Sequence, residues 1–105
     1  MIVRYWRTIT LASRADRYHE YLDKNLIPKY RAVDGLQGIF VLREVRGGLA
    51  HFLLISLWRS QQAILNMIGP ESGEAGQHSD VDRSYIAFET RAKNYEVVNM
   101  MARIK

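Results

Sequence analysis

Residues 2 to 11, IVRYWRTITL, are rich in β-branched and aromatic types and hold neither glycine nor proline, which predicts a strand. The hydrophobic period then changes. Ala15, Tyr18, Leu22 and Leu26 recur at helical spacing. Ser13 with Asp16 three positions on offers a capping-box-like start, and Glu20 with Lys24 is a favourable i,i+4 pair on the wet side. Pro28 is expected to end or kink this helix near Ile27, and Asp34-Gly35 marks a turn. Residues 36 to 45, LQGIFVLREV, predict a second strand, and RGG at 46–48 turns the chain into a third, AHFLLISLW. Ser60 can cap a short helix whose Ala63, Ile64, Met67 and Ile68 face inward, with Gly69-Pro70 as its stop. The glycine-rich stretch GPESGEAGQH follows, with Gly69, Ser72, Gly73 and Gly76 around Glu71 and Glu74, and is expected to be mobile and to serve as a lid. SDVDRSYIAFE repeats the capping logic at Ser79 and Asp82 and sets Val81, Tyr85 and Phe88 on one helical face. NYEVVNM predicts the last strand.

The resulting order, βαββαβ, is the ferredoxin-like α+β arrangement: an antiparallel sheet with helices packed on one face. In a lone chain the other sheet face should be polar, yet the third strand is apolar on both sides. His51, Leu53, Ile55 and Leu57 point one way, and Phe52, Leu54 and Trp58 the other, interrupted by Ser56. Phe40 and Leu42 are likewise opposed to Ile39 and Val41. Two greasy faces need two covers. A second copy related by a two-fold axis supplies the missing one most simply, so a homodimer is expected, with the two sheets stacked face to face.

The length of 105 residues suits one domain spanning 1–105, without internal repeats or low-complexity segments. Its 0 cysteines exclude a disulfide framework, a thiolate metal site and a cysteine nucleophile. The formal net charge of +4 comes from dispersed basic residues with acids between most of them, not from a basic stripe, so no nucleic-acid partner is expected. Arg4 and Arg7 interrupt the first apolar run, and no apolar stretch approaches the ~18 residues of a membrane span. A cytoplasmic protein with no membrane association is the expectation.

The opening strand before a capped helix, the segment DGLQGIFVLREV, the hairpin, and above all LLISLWRSQQAI resemble the antibiotic biosynthesis monooxygenase family over residues 2 to 98. That resemblance implies a dimeric α+β barrel, with small pockets between each sheet and its helices. It also implies a range of activities: oxygenation of polyphenolic anthrones without metal or flavin, haem degradation, or chemistry on quinones and signalling molecules. Haem-degrading members use an asparagine on the first strand, a tryptophan closing the third and a histidine on the following helix. Trp58 matches that tryptophan, but the first strand offers Arg4, Trp6, Arg7 and Thr8 instead of asparagine, and His78 lies too far along to be the equivalent. Haem degradation is therefore disfavoured, and no cofactor is expected.

Triplet oxygen does not combine directly with closed-shell molecules, so without a cofactor the substrate must supply the electrons as a phenolate or carbanion. The protein then has to hold a flat aromatic, remove a proton and stabilise an anion. Trp58 and Trp6 are candidate walls, joined by Tyr18, Phe52 and Tyr85, although core or interface packing is the commoner role of such residues. Arg7 or Arg43 could balance the anion. His19, His51 and His78 compete as the base; His78 is preferred because it follows the glycine-rich loop, and a loop can close over a pocket. No metal site is expected, because His19 with Asp23 at i,i+4 is an isolated pair without further ligands. Two functions remain open: a cofactor-independent monooxygenase of a small aromatic, polyphenolic or quinol-like molecule, and a non-catalytic binding or dimerisation module on the same scaffold.

Overall fold

The first apolar run pairs along its whole length with the third. The computed structural model, which describes residues 1–68, 88–89 and 91–103, places strand β1 at Ile2–Leu11 and strand β3 at Leu49–Trp58. They are antiparallel, with Ile2 opposite Trp58 and Leu11 opposite Leu49. Strand β2, Leu36–Arg46, lies on the other side of β3. Its hairpin closes through Gly47-Gly48, where Gly47 takes φ +58, a conformation that L side chains adopt at a cost.

The remaining edge of β1 is shared by two short strands. Strand β4, Phe88–Glu89, pairs with Ile9 and Thr8, and strand β5, Lys93–Glu96, pairs with Tyr5 through Ile2. Two expectations are corrected here. Phe88 is in a strand and not on a helical face, because the open edge of β1 offers backbone partners that helical spacing alone does not outweigh. The last strand stops at Glu96 because β1 begins at Ile2: one further bond, Val97 N–H to the Met1 carbonyl at 3.0 Å, uses up the edge. The order β2-β3-β1-β4, with β5 also on β1, is the antiparallel ferredoxin-like sheet. Residues 69–87, including the expected lid and most of the expected second long helix, lie outside the described residues.

Between β1 and β2 the chain makes a 3-10 turn at Ala12–Arg14 and then helix α1, Ala15–Tyr21. The expected Ser13 cap does not form: no side chain caps the helix, and the Ala15 N–H is satisfied by the Ala12 carbonyl of the preceding turn. Pro28 does not end the helix. A wide π turn at Leu22–Leu26 precedes it, with Ile27 N–H donating to the Leu22 carbonyl, and helix α2 continues over Ile27–Arg31. The missing N–H and the ring of proline disrupt an ordinary i→i−4 turn, and a π turn absorbs that disruption without breaking the element. Helix α3, Gln61–Ile68, starts as expected, with Ala63 N–H donating to Ser60 Oγ at 3.2 Å.

The core lies between the sheet and these helices. Trp6, Phe52, Leu54 and Trp58 from the sheet meet Tyr18, Leu22, Leu26 and Tyr30 from the helical run, with Ala63 and Ile64 from α3. Among the described residues nothing covers the opposite sheet face. Leu53, Ile55 and Leu57 are half-buried there, while Phe40 is 56% and Tyr95 53% exposed, the two-sided character anticipated from alternation.

Candidate functional site

Strand alternation sorts the first strand cleanly. Arg4, Trp6, Thr8 and Thr10 are buried beneath the helices, whereas Val3, Tyr5, Arg7 and Ile9 face the uncovered side. On β3, Phe52, Leu54, Ser56 and Trp58 join the buried set. Trp6, Tyr18, Phe52 and Trp58, all expected as ligand walls, thus share one layer, and none is more than 1% exposed.

That layer is unusually polar for a core, and its hydrogen bonds are specific. Thr8 Oγ1 donates to the Tyr18 hydroxyl at 2.9 Å, and the Tyr18 ring meets Phe52 edge-on at 4.8 Å between centroids. The Trp58 indole N–H donates to Ser56 Oγ at 2.8 Å, and Tyr30 stands edge-on to Trp58 at 6.2 Å. Trp58 closes β3 at the corner where Arg59 N–H donates to the Gly35 carbonyl at 2.8 Å, tying the strand-to-helix junction to the preceding turn. Burial pushes the Tyr30 phenol strongly up, an effect that the nearby Arg4 guanidinium partly offsets, so the phenol is neutral. Burial lowers Arg4 in turn.

Phe52 also reaches the rim of the layer. A hollow of about 320 Å³ is lined there by His19, Val41, Arg43 and Phe52. His19 Nε2 is 3.2 Å from Asp23 Oδ2, and Arg43 Nη1 is 3.0 Å from Asp16 Oδ1. An imidazole oriented by a carboxylate, a guanidinium and an aromatic edge face one volume. This set can accept a proton, balance an anion and contact a flat ring.

Arg7 does not join this group. It donates to the Tyr5 hydroxyl at 3.1 Å and lines a second hollow of about 120 Å³, with Leu42, Glu44, Arg46, His51, Leu53 and Arg43, which borders both hollows. His78 and Tyr85 lie outside the described residues. Arg4, which sequence reasoning passed over in favour of Arg7, is the arginine buried in the aromatic layer. Period-two parity with Trp6 and Thr8 was the signal for it, and the same parity links Arg43 to Ile39 and Val41. Among the described residues no three His, Cys, Asp or Glu side chains converge as a metal site would require. None of the described helices is long and apolar enough to cross a membrane.

No protein-family model and no curated relative matches the sequence. Solved structures do match in shape. A candidate antibiotic biosynthesis monooxygenase from Deinococcus radiodurans superposes with a TM-score of 0.73 at 18% identity, covering 100% of both chains. SnoaB, a cofactor-independent oxygenase from Streptomyces nogalater, gives 0.68 at 12% identity over 97% of this chain and 98% of its own. A mutant of MhuD with two manganese protoporphyrin IX molecules bound per active site gives 0.64 at 18% identity, over 96% and 99%. The chain has the ferredoxin-like α+β fold of the antibiotic biosynthesis monooxygenase structures.

Proposed function

We propose that the protein is a cofactor-independent monooxygenase of a small aromatic, polyphenolic or quinol-like substrate, acting as a homodimer. One observation carries the proposal: His19 with its Asp23 partner, Arg43 and the Phe52 ring line one open hollow at the rim of the aromatic layer. In that hollow the imidazole takes a phenolic or benzylic proton and Arg43 balances the anion that forms. The electron-rich anion reduces dioxygen directly; at the reacting carbon two C–H bonds, or a C–H and the phenolic O–H, are lost as one oxygen atom becomes a carbonyl, and the two hydrogens leave with the other oxygen as water. Trp58 and Trp6 stiffen the wall behind Phe52. His78, the base expected from sequence, is tested beside His19.

The uncovered sheet face supports the dimer. Phe40 and Leu42 stand exposed beside half-buried Leu53 and Ile55, and an apolar patch of that kind is stable in water when another surface covers it. Phe40→Glu places a charge in that surface and is expected to shift the sedimentation of the purified chain from dimer to monomer without loss of helical signal. A wild type that sediments as a monomer at high concentration overturns the dimer.

A second function, a non-catalytic binding or dimerisation module, draws support from the complete enclosure of Trp6 and Trp58 in the core. Oxygen uptake separates the two. With chelator present, an anthrone, naphthol and quinol panel is expected to include at least one substrate that drives uptake, with His19→Ala slowing turnover about a hundredfold or more, the usual contribution of a general base. An equal loss in His78→Ala alone moves the base to that residue. Absence of uptake with every compound leaves the binding module as the function.

A further inference from the structure

Arg4 is 1% exposed on the helix-side face of β1. Its Nη1 donates to Asn94 Oδ1 at 2.8 Å, a neutral acceptor brought in by β5. Its Nε and Nη2 are sealed from solvent and make no hydrogen bond. These two nitrogens lie along one edge of the planar guanidinium, with their N–H bonds side by side. That edge matches the two oxygens of a carboxylate.

Among the described residues no carboxylate pairs with it. Asp16 pairs with Arg43, Glu20 with Lys24, Asp23 with His19, Asp34 with Arg59 and Glu44 with Arg46, all at the surface. The ionisable group facing Arg4 is the Tyr30 phenol, which burial keeps neutral. A buried cation with no opposite charge beside it is destabilising. Aromatic rings lie close by: Ser56, the cross-strand partner of Arg4, accepts from the Trp58 indole, and Trp58 packs edge-on against Tyr30.

We propose that the Nε–Nη2 edge of Arg4 is a binding site for the carboxylate of a small aromatic acid, whose ring packs against the Tyr30 and Trp58 side chains. The site is closed in this state, so packing over Arg4 opens as the acid binds. It goes beyond the oxygenase function and does not rest on it, because the readout is binding without turnover.

The test uses the full chain with benzoate, indole-3-carboxylate and 2-naphthoate, and benzamide as the neutral counterpart of benzoate, followed by calorimetric titration and thermal melting. At least one acid is expected to bind once per chain and raise the melting temperature, with benzamide weaker than benzoate by about tenfold or more, the scale of a lost charge-assisted hydrogen bond. Arg4→Met, which removes the unpaired charge and keeps much of the volume, is expected to lose that affinity by a similar factor while melting no lower than wild type in acid-free buffer. Arg4→Lys keeps the charge without the two-nitrogen edge and is expected to lose affinity as well, so the result does not hang on one variant's folding. Three results overturn the proposal: no acid binds wild type, benzamide binds as tightly as benzoate, or Arg4→Met binds the acid undiminished.

Discussion

Gly35 and Gly47 both take positive φ, yet substitution by alanine should affect them very differently. Gly35 has φ +93 in the turn before β2, and a Cβ there would stand 2.6 Å from the Ala63 Cβ on α3. Gly47 has φ +58 at the hairpin tip, with nothing within 4 Å of a Cβ. An L residue at positive φ costs about 1–2 kcal/mol, which is the only cost expected for Gly47→Ala. Gly35→Ala adds an overpacking cost of about 1–3 kcal/mol, because α3 is pinned by its Ser60 cap and by Ile64 in the core. Lower unfolded-state entropy returns about 0.4–1 kcal/mol in each variant. The expected loss for Gly35→Ala is therefore about 2–4 kcal/mol, a large part of the ~5–15 kcal/mol that holds a domain together. Urea midpoints at fixed protein concentration and unchanged m-value measure it. In an Ala63→Gly background the clash disappears, and Gly35→Ala should cost only its backbone share less the entropy returned, about 0–1.6 kcal/mol. Equal losses at the two glycines, or no recovery in the Ala63→Gly background, would refute the close approach of turn and helix.

Two further outcomes follow from the polar core. Tyr30 titrates higher in the folded protein than in the unfolded chain, so the native state keeps its proton when the unfolded state has lost it. Its contribution is complete below the unfolded value and is lost as pH rises through the folded one. Stability should therefore fall above about pH 10, and less steeply in Tyr30→Phe, as followed by urea midpoints against pH. Thr8→Val and Tyr18→Phe each remove one side of a buried hydrogen bond and should cost about 1–2 kcal/mol, with the double variant costing less than their sum by at least about 0.5 kcal/mol. Strict additivity would show that the bond carries no coupling.

Much of the architecture was legible because alternation and helical spacing are local. The whole of β1, the β2–β3 hairpin, the Ser60 cap and the two-sided β3 all appear where the pattern placed them. The failures have tertiary causes. Ser13 was not used as a cap because a 3-10 turn supplies the backbone partners, and Asp16, its expected helper, reaches Arg43 on β2. Of the two outcomes expected at Pro28, an end or a kink near Ile27, the end did not occur: Leu22 and Leu26 on one side and Tyr30 on the other are all anchored in the core, favouring a π turn over a break. Phe88 joined the sheet because β1 had a free edge at Thr8 and Ile9.

By itself, the order of residues determined which side chains share a sheet face, since period two admits no other arrangement once a strand forms. Arg4 was bound to lie with Trp6 and Thr8, and Arg7 with Tyr5 and Ile9. Which of those faces received the helices was decided by packing, as Tyr18, Leu22 and Tyr30 closed over the face carrying Arg4. The same closure sealed the guanidinium away from water and left its Nε–Nη2 edge unanswered. It also brought His19 against Arg43 and Phe52, cross-strand neighbours in the β2–β3 hairpin, around one hollow. Periodicity is written in neighbouring residues, but burial and proximity arise only when distant elements meet.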